Sequence, residues 1–216
     1  KIMIFQLIIH ILFGVIAYLI GSVQFGIISG KLIQGIDIRE HGSKSTGATN
    51  VGRTLGVKIA TVVALLDIGK GFLIVFSLTN ILKFLNYENP FSIIIFGSLV
   101  ILGHCWPIFY KFRGGKGVLT SLGVYFLVNP LLCMIALITF IIILTISKYV
   151  SLGSIIGATV ALIYVIISVL SSFGNSTSTD LLFTLFIFCV IFYRHKENIQ
   201  RLLKGEENKI GNNLKP

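Results

Sequence analysis

Four stretches of this 216-residue chain combine residue types that could handle a phosphorylated ligand. The richest runs from Gly30 to Gly56, GKLIQGIDIREHGSKSTGATNVGRTLG, where six glycines alternate with hydroxyl, amide and basic side chains. Glycines such as Gly42 and Gly47 let backbone approach a ligand and turn successive N–H groups toward an anion, while Ser43, Ser45, Thr46, Thr49 and Asn50 can add neutral hydrogen bonds. Arg39 and Arg53 supply charge in a planar fork that matches a phosphate bidentately. Phosphate recognition is one reading; a surface loop whose arginines rest on lipid headgroups has the same composition.

A second stretch, Gly103-His104-Cys105-Trp106-Pro107, leads into Phe112-Arg113-Gly114-Gly115-Lys116-Gly117 and then into an apolar segment beginning Val118-Leu119-Thr120. A Gly-Gly-Lys-Gly turn entering a helix resembles a phosphate cradle, because helix N-terminal amides and a lysine point charge both favour an anion, although its spacing is not that of a Walker A motif. A tight interfacial turn with a snorkelling lysine has the same appearance, and a lone His104 at a helix end is commonly just hydrogen-bonded there. Ser151 and Ser154 lie in a third cluster, Ser147 to Ser154, as helix caps or as ligand hydroxyls. The fourth, His195 to Glu207, places His195 and Asn198 on one helical face, and taken alone reads as a solvated amphipathic tail.

The elements that must position these groups cross a membrane. Apolar residues make up 55% of the chain and charged residues only 12%, far from the soluble balance, and runs long enough to span a hydrocarbon core recur along it, so a cleaved signal peptide does not account for them. Seven spans are expected, at about 4–29, 57–82, 91–110, 117–130, 131–147, 153–173 and 180–193, with Pro130 breaking the fourth from the fifth. With the amino terminus outside, fifteen of the 18 Lys and Arg fall on the cytoplasmic side, in segments at about 30–56, 111–116, 148–152 and the tail 194–216, with Lys58 at the inner edge of the second span counted among them. Only Lys1 and Lys83 lie outside and Lys70 within a span, a strong orientation signal under the positive-inside rule. The expected architecture is an all-α, polytopic membrane helix bundle forming one domain over 1–216, with its carboxyl terminus cytoplasmic. The net charge of +10 follows from this topology and not from a nucleic-acid face. Cys105, Cys133 and Cys189 stand singly in apolar runs, outside any CxxC pattern, and read as small core residues. Asp67 and Lys70, three apart within a span, are spaced to pair, which lowers the cost of burying either charge and suggests a structural role.

Together these segments resemble the bacterial glycerol-3-phosphate acyltransferases that take acyl phosphate as donor, over nearly the whole chain. The resemblance is carried by Gly21-Ser22, Asp37-Ile38-Arg39, Gly42-Ser43, Gly47-Ala48-Thr49-Asn50, Arg53-Thr54-Leu55-Gly56, Asp67 with Lys70-Gly71, and Gly103-His104. It continues through Pro107, Phe112, Gly114-Gly115-Lys116-Gly117-Val118, Thr120, Ser151, Ser154, His195, Asn198, Arg201, Gly205 and Glu207. The chain departs from the family pattern at Gln24, usually proline, and at Lys44-Ser45-Thr46, usually Gly-Asn-Ile.

The resemblance implies a multi-pass enzyme of the bacterial plasma membrane that transfers an acyl chain to the sn-1 hydroxyl of glycerol 3-phosphate, without metal or tightly bound cofactor, and functional coupling to the enzyme that forms acyl phosphate. It implies catalytic roles for Ser43, Arg53, Lys116, His195 and Asn198. Arg39, Gly42, Gly47, Thr49, Asn50, His104, Gly114, Gly115, Gly117, Ser151, Ser154 and Glu207 would bind substrate. A mixed-anhydride donor is already activated, so positioning and charge stabilisation suffice; the donor phosphate, or failing that His195, would take the hydroxyl proton. Acyl-CoA-dependent acyltransferases require aspartate five positions after histidine, whereas His41 meets Thr46 and His104 meets Phe109. Asp37, Asp67 and Asp180 are too far apart for a CDP-alcohol phosphotransferase. A transporter or channel for an anionic solute is the remaining alternative, since glycine-rich loops and intramembrane charge also line permeation paths.

Overall fold

Many large apolar side chains of this protein point outward and a set of polar ones inward, as expected where lipid is the solvent. In the computed structural model, which describes residues 2–171 and 176–210, Leu65, Leu66 and Leu73 lie on the outside of their helix while Asp67 and Lys70 on the same helix are buried. The chain folds as two compact units, Lys1–Val128 and Asn129–Pro216.

In the first unit, α1 (Ile2–Gly21) stops at Ser22, whose N–H and hydroxyl both turn back to the Tyr18 carbonyl, and α2 (Phe25–Gln34) begins after Gln24. The expected span at about 4–29 falls within the apolar segment Met3–Gln34, made of these two helices; α2 itself ends at Gly35, in the left-handed conformation (φ 69°) that glycine adopts without penalty. A 3₁₀ turn (Ile38–Glu40) is capped by Asp37, whose carboxylate accepts from the Arg39 N–H. Then come α3 (Ala48–Leu55), α4 (Val57–Phe84) and α5 (Ser92–Cys105), which Pro107 ends, a 3₁₀ turn at Ile108–Tyr110 completing the expected span to 110. The unit closes with α6 (Val118–Val128).

Small residues let these helices touch backbone to backbone, the usual means of association where lipid removes the hydrophobic drive. A Cβ on Gly21 would collide with the Val100 carbonyl and one on Gly103 with the Tyr18 carbonyl, so α1 and α5 are locked at closest approach; Gly71 against Thr120 and Gly123 against Ile68 do the same for α4 and α6. Beneath the first loop, Ile27, Ile38, Val51 and Val63 form a buried cluster on which Phe25 and Tyr110 pack. Ile38 and Val51, which lie on the loop and would otherwise meet water, each contribute about 1.5–3 kcal/mol by burial, enough to hold a polar loop to the helix beside it.

In the second unit, α7 (Pro130–Ser147) starts where Pro130 was expected to break the chain: proline occupies the first helical turn and Asn129 caps it by accepting from the Leu132 N–H. Next come α8 (Val150–Leu170), α9 (Ser178–Arg194), opened by a Thr177/Asp180 capping box, and α10 (Lys196–Lys204). Gly153 and Gly157 of α8 lie against Phe140 and Ala136 of α7.

The described residues are helical and turn-forming throughout, in agreement with the expected all-α bundle. Five segments are long and apolar enough to cross a bilayer, Met3–Gln34, Val57–Phe84, Ser92–Tyr110, Pro130–Ser147 and Val150–Leu170, with a sixth if α9 and α10, bent by 58°, count as one. The expected fourth span is α6, whose 11 residues reach only about 16 Å against a hydrocarbon core of about 30 Å. Cys105 and Cys133 are buried as expected, but Cys189 lies on the outer face of α9 beside inward-facing Val190 and is not a core residue. Lys1 and Lys215 of the charge pattern lie outside the described residues.

Candidate functional site

The first loop is organised by one side chain. Asn50, on the first turn of α3, is buried; its amide nitrogen lies 3.0 Å from the Ile38 and His41 carbonyls and 2.9 Å from that of Ser45, while its oxygen accepts from the Ser43 N–H at 2.7 Å. The loop therefore wraps around Asn50, whose side-chain amide shapes the loop backbone through these contacts. Gly42 (φ 56°) is part of the same wrap, since a Cβ there would fall on the Asn50 oxygen. Lys44, at the position where glycine is usual in the family pattern, keeps a left-handed backbone (φ 56°), a conformation costing a side-chain-bearing residue about 1–2 kcal/mol. Ser43, Gly47, Thr49 and Arg53, the last on the final turn of α3, are half-buried on this loop.

Arg39 ties the loop to the turn after α5. Its guanidinium pairs with Asp37 (Nη2 to Oδ2 2.6 Å, Nε to Oδ1 3.0 Å) and donates through Nη1 to the Tyr110 carbonyl at 3.1 Å. The hydrogen bond from Arg39 pulls the Asp37 carboxyl down to about 2 and pushes the guanidinium up in turn. With its fork engaged by Asp37, Arg39 serves first as a brace between two loops.

The second turn is built on His104, buried at the end of α5. Within α4, Lys70 and Asp67 pair at 2.9 Å as their spacing predicts, and the Lys70 ammonium also donates to the Val23 carbonyl at 2.7 Å and lies 2.9 Å from His104 Nδ1, which is itself 3.5 Å from Asp67 Oδ1. An ion pair and these polar contacts are what make so buried a lysine tolerable. Nε2 of the His104 ring abuts Gly115, where a Cβ would overlap it. Gly115 N–H donates to the His104 carbonyl at 3.0 Å, and Gly114 fits so closely over the same carbonyl and Pro107 that it too has no room for a side chain. Gly117 (φ 82°) then enters α6 against the Cys105 sulfur, with half-buried Lys116 between. Glycine amides and a lysine at the start of a helix form the arrangement that suits a phosphate.

In the second unit, Glu207 gathers the polar side chains. Its carboxylate accepts from Ser151 Oγ (2.9 Å), Asn198 Nδ2 (2.7 Å) and Arg201 Nε (2.8 Å). Burial opposes ionisation here, yet these bonds from Asn198, Arg201 and Ser151 hold the carboxyl below its ordinary value. Ser154 instead donates to the Val150 carbonyl of its own helix. His195, buried at the junction of α9 and α10, donates from Nδ1 to the Ile191 carbonyl at 2.8 Å.

The structure thus assembles the expected residues into two groups, one per unit: Arg39, Gly42, Ser43, Gly47, Thr49, Asn50, Arg53, His104 and the 114–117 turn in the first, and Ser151, Ser154, His195, Asn198 and Glu207 in the second. Sequence reading overlooked the internal partners: Arg201 on Glu207, Asp37 on Arg39 and Gln24 among the first unit's turns. An Asp two residues from an Arg and a Gln in an apolar run were the available signals. Among the described residues, no group of three or more His, Cys, Asp and Glu side chains comes together to hold a metal.

Residues 11–205 match the family model described as glycerol-3-phosphate acyltransferase. The chain is 43% identical over 201 residues to a glycerol-3-phosphate acyltransferase of Thermoanaerobacter sp. (strain X514), covering 93% of this chain and 96% of that one. It is 43% identical over 196 residues to the Bacillus subtilis (strain 168) protein of the same name, covering 91% and 95%. Its fold is similar to crystal structures of PlsY, an integral membrane glycerol 3-phosphate acyltransferase, in a glycerol 3-phosphate form (TM-score 0.82, 36% identity, 94% of this chain and 96% of that one). The lysophosphatidic acid form gives a TM-score of 0.79 at 35% identity, over 94% and 95%.

Proposed function

The chain belongs to the glycerol-3-phosphate acyltransferase family, and we propose that it moves a fatty acyl group from acyl phosphate to the sn-1 hydroxyl of glycerol 3-phosphate, yielding lysophosphatidic acid and inorganic phosphate. The observation that carries this reading is that the segments through which the chain resembles the family are the ones its fold builds into tight, donor-rich turns: the loop around Asn50 and the Gly114–Gly117 turn seated on His104 at the start of α6.

In this reading Ser43 and Arg53 hold the phosphate of glycerol 3-phosphate, and Lys116 with the neighbouring glycine amides holds the acyl phosphate. In the second unit His195 and Asn198 carry the polar group of the tail, and Ser151 acts through Glu207. The hydroxyl oxygen attacks the acyl carbon, the bond from that carbon to the phosphate oxygen breaks, and the hydroxyl proton leaves on the departing phosphate. No covalent enzyme intermediate is required, because the mixed anhydride is activated before it binds. The acyl chain lies along the lipid-facing helices, where burial of each methylene contributes about 0.8 kcal/mol. The finer topology belongs to the same proposal: seven spans in a bacterial plasma membrane, α6 among them, with the carboxyl terminus cytoplasmic.

Phosphate release by the purified protein should require both substrates together. Lys116→Ala should cut turnover by about 100-fold, and Arg53→Ala should chiefly raise the glycerol 3-phosphate requirement, by about tenfold or more. Turnover in Lys116→Ala near that of wild type, or solute counterflow in sealed vesicles without acylation, would refute the reading.

A further inference from the structure

We infer that Gln24 is a positioning residue that couples the two phosphate-handling turns of the first unit, with Thr46 as its matched partner; this deepens the acyl-transfer reading and rests on it. Gln24 stands immediately before α2, the place from which a polar side chain ordinarily caps its own helix. It does not cap. Its buried amide reaches sideways in both directions: Oε1 accepts from the Thr46 hydroxyl at 2.7 Å, and Nε2 donates to the His104 carbonyl at 3.1 Å. That carbonyl is the one that accepts from the Gly115 N–H at 3.0 Å. A continuous chain of three hydrogen bonds therefore runs from the first loop, through Thr46 and Gln24, to the turn that carries Lys116.

The coupling is tight because neither end has slack. The Thr46 carbonyl rests on Gly26, where a Cβ would overlap it, so the loop lies directly on the first turn of α2. At the other end, the His104 ring is held by Lys70 while its carbonyl takes both the glutamine and the glycine donors. Both Gln24 and Thr46 are positions at which this sequence departs from its family pattern, and they hydrogen-bond each other. An apolar residue at 24 would fill the same space without connecting the turns, and a Thr46 hydroxyl with no acceptor would be left buried and unsatisfied. The two turns are assigned to different substrates, so the spacing that Gln24 sets is the spacing between the reacting molecules.

The test is steady-state kinetics on purified full-length protein with both substrates varied, together with hydrogen exchange of the segments at 42–47 and 113–117. Gln24→Leu should raise the KM for both glycerol 3-phosphate and acyl phosphate about fivefold or more, and Thr46→Val that for glycerol 3-phosphate alone. The double variant should match Gln24→Leu instead of showing the product of the two effects, and Thr46→Ser should retain wild-type values. Exchange should quicken in both segments in Gln24→Leu and only at 42–47 in Thr46→Val. Multiplicative effects in the double variant, or loss of active protein with both KM values unchanged, would overturn the coupling. If the wild-type protein does not turn over these substrates, the acyl-transfer reading fails by itself; exchange still decides the bridge, and unchanged rates in Gln24→Leu would sink it.

Discussion

Gly115 has no room for one more carbon. The His104 ring it faces is fixed from behind by Lys70, so the ring cannot swing aside, and any Cβ must push the turn off the His104 carbonyl. Gly115→Ala should reduce turnover by about tenfold or more, with Lys116 displaced from the start of α6. Gly69 is the control: it lies mid-helix in α4 with nothing within 4 Å of the place a methyl would take, and Gly69→Ala should leave activity unchanged and raise stability by about 0.5–1 kcal/mol. Equal activity of the two variants would refute the close fit at His104. The glycine-rich motif is plain in the sequence, but its use there is ambiguous: an interfacial turn and a phosphate cradle have the same composition, and only packing against a histidine 11 positions earlier separates them.

At the scale of elements, the segment after α10 is a strap held by one carboxylate. Glu207 joins α8 through Ser151 and α10 through Asn198 and Arg201, and beyond it the Ile210 N–H donates to the Lys148 carbonyl at 2.8 Å. Because the folded protein holds this carboxyl below its ordinary value of 4.5, the strap's contribution to stability is present above that value and is lost as pH falls through the lowered one. Exchange of the Ile210 amide, corrected for intrinsic rate, should therefore speed up on acidification in the wild type. In Glu207→Gln it should already be faster at neutral pH, by about tenfold, and should show no such acid step. A step of equal size in the variant would assign it to another group. The amphipathic tail around His195 reads from sequence as an ordinary solvated helix; what distinguishes it is the carboxylate nine positions beyond Asn198, too far along the chain for helical spacing to reveal.

For the whole molecule, the proposed orientation is open to a direct measurement. In right-side-out vesicles of a Cys189→Ala background, a membrane-impermeant maleimide should label Asn86→Cys without permeabilisation and Lys204→Cys only after it, both positions being exposed; the opposite pattern would invert the topology. The sequence by itself determined the class of fold and the solvent, because hydropathy over a span and the distribution of lysine and arginine are local sums that need no contact map. It also determined the break at Pro130 and the pairing of Asp67 with Lys70, since proline chemistry and a three-residue helical offset act within one element. Only the tertiary structure decided that α1 breaks at Ser22, that Asn50 faces its own loop, that Lys70 reaches His104 and that Gln24 joins Thr46 to the His104 carbonyl. Those contacts link residues 22 to 80 positions apart or depend on which neighbour occupies the space, and a buried polar group chooses its partner by three-dimensional proximity, which no spacing rule along the chain encodes.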